Sequence, residues 1–259
     1  MVPDPARPKK KLGQHFLKDP NTARIVASGV GPEDVVLEIG PGRGFLTGFL
    51  AERVRLVHAV EIDRDVLPAL RRAVGDLGNV RVHEGDALRF DYAGLEPAPN
   101  AMVANLPYNV ASPLVLMLLE RVEGLRTLRF MVQLEVARRM AAERGTKDYA
   151  SYAVLVGLLA EVKVLHKVPP TVFDPPPRVH SAVVEMTRKE PPKDYDRIKA
   201  VVLGAFRSRR KRLVNNLPEP ARAEAPRVLT SLGHSPDARA EELSSEDFVA
   251  LCRALSWAL

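Results

Sequence analysis

Residues 102–113 read MVANLPYNVASP, so Asn105, Leu106, Pro107 and Tyr108 directly follow an apolar run. An amide, a proline-stiffened carbonyl and a phenol make an unusual end for a buried strand. They suit a flat ligand that carries an exocyclic amine. The amino nitrogen of adenine or cytosine is a poor nucleophile, because its lone pair is delocalised into the ring. To attack a methyl sulfonium it must pyramidalise, and two acceptors, one for each N–H, favour that geometry. The Asn105 side-chain oxygen and the Leu106 or Pro107 carbonyl can accept, and Tyr108 offers a stacking face. No general base is required, since the methylated ammonium loses its proton readily. The plainer alternative is an Asn-initiated turn with a packed tyrosine.

A second constellation lies upstream. VLEIGPGRGFLT sets Gly40, Gly42 and Gly44 between an apolar run and an amphipathic one. Glycines there let a ligand lie against the main chain. Glu61 ends the next apolar run, where a carboxylate can accept from two ribose hydroxyls. Asp86, in EGDA, ends the third and can accept from an adenine amine. Singly, Glu61 can be a helix cap and Asp86 a turn residue. Together they outline an adenosine-shaped crevice. A nicotinamide dehydrogenase fits nearly as well, although the spacing is G-x-G-x-G with Pro41 inside the turn.

The elements that must hold these residues follow from periodicity. Apolar runs at 34–40, 55–62, 80–85, 100–106 and 127–134 read as strands buried on both faces. Helices are expected at 20–29 (capped by Asp19, with Pro20 first), 44–53, 64–74, 112–121 and 135–144. This alternation implies an α/β, doubly wound, mostly parallel sheet. The segment 151–160 can be a helix, and the runs after it look like strands extending the sheet. The charged, proline-containing stretch 188–196 is the best linker. A first domain over 1–188, with a basic arm at 1–18, and a small all-helical C-terminal domain over 189–259 are expected. Within the latter, Ile198, Val201, Val202, Ala205, Leu213 and Leu217 mark one face of a helix carrying basic residues.

The motifs EIGPGRG, VEID, EGDA and NLPY, in that order, resemble class I S-adenosylmethionine-dependent methyltransferases acting on adenine N6. KKLGQHFL, PTVFDPPPRVHSAVV and FRSRRKRLVNNL narrow the resemblance to the KsgA family, the adenine dimethyltransferases of small-subunit ribosomal RNA. The likeness runs from about residue 9 to 217. It implies a Rossmann-like methyltransferase sheet, S-adenosyl-L-methionine as cofactor, and dimethylation of two adjacent adenosines in the 3′-terminal hairpin of that RNA. It implies that His15 and Leu17 close over the cofactor and that Gly40 and Gly42 lie against its methionine part. Glu61 and Ile62 would hold its ribose, and Asp86 and Ala87 its adenine. Asn105 would bridge cofactor and target amine, with Phe173 stacking opposite Tyr108. The other reading of Phe173 is a core residue before a proline loop.

Charge agrees with an RNA partner. The net charge is +6, and it concentrates in two short blocks. One contains Lys9, Lys10 and Lys11; the other contains Arg207, Arg209, Arg210, Lys211 and Arg212 with no acid between them. Both are expected to grip RNA within an assembling small subunit. One cysteine excludes a disulfide framework and a multi-cysteine zinc site, and no metal is expected. No apolar run reaches the roughly 18 residues of a membrane span and no secretory signal is evident, so a cytoplasmic monomer is expected. Rival readings are a large-subunit methyltransferase of the erythromycin-resistance type and a mainly non-catalytic ribosome-assembly factor.

Overall fold

The computed structural model describes residues 8–9, 12–208 and 211–255. In chain order its elements are β1 (Phe16–Leu17), α1 (Pro20–Ala27), β2 (Val35–Ile39), α2 (Phe45–Ala51), β3 (Leu56–Glu61), α3 (Leu67–Val74) and β4 (Val80–Glu84). There follow β5 (Ala101–Asn105), α4 (Ala111–Arg121), β6 (Thr127–Gln133), α5 (Leu134–Met140), α6 (Ser151–Leu159) and β7 (Ala160–Val168). The chain ends with β8 (Phe173–Asp174), β9 (Ser181–Arg188), α7 (Tyr195–Ala205), α8 (Ala221–Ser231) and α9 (Ser245–Ala254). Residues up to Ala137 together with Val162–Arg188 form one compact unit; Arg138–Glu161 and the chain from Lys189 form a second.

In the first unit the strands run β4-β3-β2-β5-β6-β9-β7. The pairs from β4 to β6 are parallel, and β9 joins β6 antiparallel. Every residue of β2 and β3 is buried, Glu38, His58 and Glu61 included, which is why those segments read as nearly continuous apolar runs. Alternate residues Val36, Val57, Ala59, Val103 and Met131 pack in one core with Val26 of α1 and Leu46 and Leu50 of α2. Asp19 caps α1 by accepting the Thr22 N–H at 2.7 Å, with Pro20 in the first turn. Because β2 lies between β3 and β5, chain order reverses there, and a crevice opens beyond the carboxyl ends of β2 and β5. A short antiparallel pair, β1 with β8, is an addition that the periodicity did not suggest.

The second unit takes in α6, which a boundary at 188 leaves in the first. The reason is composition. Six of its nine residues are buried, and a helix apolar on nearly every side must be covered all round. It packs on α7 and α9, and the ring contacts Tyr149–Phe206 (6.2 Å) and Phe206–Phe248 (5.9 Å) extend that core. The single helix expected to carry the second basic block is broken. α7 stops at Ala205, and Leu213–Asn216 form a separate 3-10 turn. Asn216 donates its side-chain amide to the Ala205 carbonyl (2.8 Å), and Leu213 donates its N–H to Ala238 (2.9 Å), so Arg207 and Lys211 lie in a connecting loop. No described helix is long and apolar enough to cross a membrane.

Candidate active site

The crevice is walled by the glycine loop, the ends of β3 and β4, the turn after β5 and the arm residues 12–16. Gly40 has φ +66° and donates its N–H to the Val60 carbonyl at 2.9 Å. Gly42 has φ +57°, and a Cβ there would lie 2.8 Å from the Phe16 ring, so only glycine fits. Its N–H donates to Glu61 Oε2 at 3.0 Å, and the Asp63 N–H donates to Oε1 at 2.8 Å. Glu61 therefore shapes the loop as well as facing the crevice. Burial raises its pKa, and those N–H donors oppose the rise. Ile62, about half exposed, and Asp86 and Ala87 lie beside it. Asp86 Oδ1 accepts the Leu88 N–H at 3.0 Å, so its turn role and its place on the crevice coexist.

At the end of β5, Asn105 donates Nδ2 to the His15 carbonyl at 2.9 Å. This orients the amide and leaves Oδ1 buried with no hydrogen-bond partner among the described residues. An unmet buried acceptor is costly, and this one is oriented to take a donor brought by a water or a ligand. The Leu106 N–H is tied to Met131 at 3.2 Å, and the Pro107 carbonyl accepts from Val110 in a turn at 3.3 Å. Tyr108 shares a 2.6 Å hydrogen bond with Ser181, and burial raises its pKa, so the phenol stays neutral. Ser181, fully buried on β9, is a partner that nothing local in the sequence announces.

A further carboxyl, Glu38, was not singled out from the sequence because it sits inside an apolar strand. It is 1% exposed, and Oε2 has no hydrogen-bond partner among the described residues. Burial chiefly, with the Glu61 charge adding, pushes its pKa up to about 8. Glu38 and Asn105 both line a cavity on the other side of the glycine loop. Two buried carboxyls beside that loop suit a cationic ligand and oppose a pyrophosphate. The arrangement thus fits a sulfonium donor with its ammonium group better than a nicotinamide dinucleotide.

A family model described as ribosomal RNA adenine dimethylase matches residues 6–256. The chain belongs to that family. As a member it is an enzyme, a ribosomal RNA adenine dimethyltransferase, with the α/β fold expected of one. It is 69% identical over 251 residues to a Rubrobacter xylanophilus protein called ribosomal RNA small subunit methyltransferase A, covering 96% of each chain. Among solved structures it is similar to a dimethyladenosine transferase from Plasmodium falciparum (26% identity, TM-score 0.80, 92% of this chain and 96% of that one). It also resembles the 23S rRNA methyltransferase ErmE (28%, TM-score 0.74, 93% and 100%).

The dimethylase motifs do not all converge on the crevice. Phe173 is wholly buried, paired with Leu17 across the β1–β8 ladder, and both belong to the apolar core. Phe173 is thus the core phenylalanine of the two readings: its ring shows no face to a base in this arrangement. Leu17 likewise borders the cavity beyond the loop rather than the crevice itself. The ring that does stack on Tyr108 is His15, with centroids 5.3 Å apart and planes 27° from parallel. Lys9 binds Asp63 (2.6 Å) and Asp65 (2.5 Å), and Gln14 joins it on Asp63 (2.8 Å), so this lysine pins the arm. Arg207 and Lys211 are exposed, while Arg212 pairs with Asp237 at 2.5 Å. Lys10, Lys11, Arg209 and Arg210 lie outside the described residues.

Proposed function

We propose that the protein moves methyl groups from S-adenosylmethionine to the N6 amines of two adjacent adenosines in the 3′-terminal hairpin of small-subunit ribosomal RNA. The observation that carries this reading is the buried Asn105 Oδ1, without a hydrogen-bond partner among the described residues, beside the neutral Tyr108 ring. Glu61 and Asp86 are suited to the donor's ribose and adenine, Gly40 and the Glu38 carboxyl to its methionine end, and two acidic side chains to its positive charge. Bound there, the donor supplies an electrophilic methyl on sulfur. Asn105 Oδ1 takes one N–H of the adenine amine. The Leu106 carbonyl takes the other, since the Pro107 carbonyl already closes its turn. Both hydrogen bonds strengthen as the nitrogen pyramidalises and gains charge, which is where they lower the barrier. Tyr108 holds the ring plane, and the proton leaves to water. Small-subunit RNA is favoured over large-subunit RNA by the name and 69% identity of the Rubrobacter relative. RNA grip falls to Arg207, Lys211 and their basic neighbours, and we place the protein in the cytoplasm as a monomer.

Replacing Asn105 by Ala removes the oriented acceptor. Methyl incorporation into unmodified small subunits should fall by about 10²–10³-fold, with subunit binding retained. Full incorporation by the variant, or labelling of large subunits instead, overturns the assignment.

A further inference from the structure

Tyr108 needs an open face if it is to carry a flipped-out base, yet in this structure that face is covered. The His15 imidazole lies on it at 5.3 Å and 27°, and no other described ring stacks there. Two rings at that separation leave no room for a base between them, since a sandwiched base would need about twice a stacking distance. His15 Nδ1 is 2.7 Å from the Pro175 carbonyl, so the proton on that nitrogen is donated to it and the ring is tethered at one edge while its face lies on Tyr108. The arm beneath is fixed by Gln14 and Lys9 on Asp63. The His15 carbonyl, meanwhile, takes the Asn105 amide. A rotation about the His15 side-chain bonds therefore clears Tyr108 while leaving the main chain, and with it the orientation of Asn105, in place.

We infer that the His15 imidazole is a stand-in for the target base on Tyr108, displaced by the entering adenine, and so a positioning residue that makes base insertion selective. This rests on reading Tyr108 as the base platform. A base enters only if its own stack and amine hydrogen bonds outweigh those His15 gives up. A base lacking the amine meets the same obstacle without the reward.

The test uses the full-length protein and a small-subunit hairpin whose target adenosines keep their amines, with 2-aminopurine at the position beside them, and follows the change in its emission as the neighbouring stack opens on addition of protein. In the parent protein the emission change should depend on Tyr108 and vanish in Tyr108→Ala. His15→Ala should make base insertion about three- to tenfold tighter, the equivalent of one aromatic pair. His15→Phe, which restores a ring, should return it towards the parent value. In steady state His15→Ala should lower KM for RNA more than it changes kcat. Unchanged or weaker insertion in His15→Ala, with the Tyr108 dependence intact, overturns the stand-in. So does an effect confined to the donor's KM, which would make His15 a cofactor contact alone. An emission change indifferent to Tyr108→Ala would instead show that the base platform itself is misplaced.

Discussion

Glu38 carries an unmet carboxyl oxygen in an otherwise apolar strand, and the folded chain answers by holding a proton there. Its ordinary pKa of 4.5 rises to about 8 in the fold. The folded state therefore binds a proton that the unfolded chain releases above 4.5. The stability this gives is complete below that pH and is lost as pH rises through about 8. Ligand-free Glu38→Gln should lack this decline, so its melting curve should overtake the parent's as pH rises; identical pH profiles would refute the assignment. On the proposed binding mode the donor's ammonium draws that proton off, and the same substitution removes the carboxylate it would pair with. Affinity for S-adenosylmethionine, read by calorimetry, should drop about tenfold. Gly42→Ala acts on the neighbouring turn. Its methyl cannot pass the Phe16 ring at 2.8 Å and strains a φ of +57°, so donor binding should be lost with the arm displaced.

At the level of elements, α4 directly follows the Asn105–Tyr108 turn and needs a fixed end. Arg188, the last residue of β9, supplies it by donating to the carbonyls of Leu118 (3.3 Å), Leu119 (2.8 Å), Val122 (2.8 Å) and Leu125 (2.6 Å). Arg188→Ala should cost about 2–3 kcal/mol in urea unfolding, with Arg188→Lys recovering only part of it. β2, β3 and β5 were legible in the sequence because burial on both faces writes itself as nearly continuous apolar runs, whereas β4, at the sheet edge with none of its residues buried, does not have the two-sided burial expected of it. The crevice was legible because glycines, acids and the Asn105 turn all fall at strand ends. What stayed hidden depends on distant partners. Ser181 meets Tyr108 across 73 residues. Phe173 reads equally well as a base platform until its burial is seen. The break after Ala205 is set by Asn216 and Ala238, not by any helix stop signal of its own.

Across the whole molecule, charge is the property that bears on the partner. The net charge of +6 gathers in two blocks, but Lys9 and Arg212 already have carboxylate partners within reach. Changing the basic residues at 207–212 to Gln should weaken RNA binding uniformly across sequences. It should also flatten the salt dependence by about 0.7–0.9 log units per lost phosphate contact. Of these, the Arg212 change alone should matter least; a large effect from it with none from Arg207 and Lys211 would contradict this ranking.

The chain enters its second unit twice, first through α6 and again from Lys189. A protease cut in the charged stretch between β9 and α7 would consequently leave two fragments that copurify, because the amino-terminal piece still owns the apolar rod around which α7 and α9 assemble. Expressed on its own, a product ending at 188 would carry that rod bare and come out of solution.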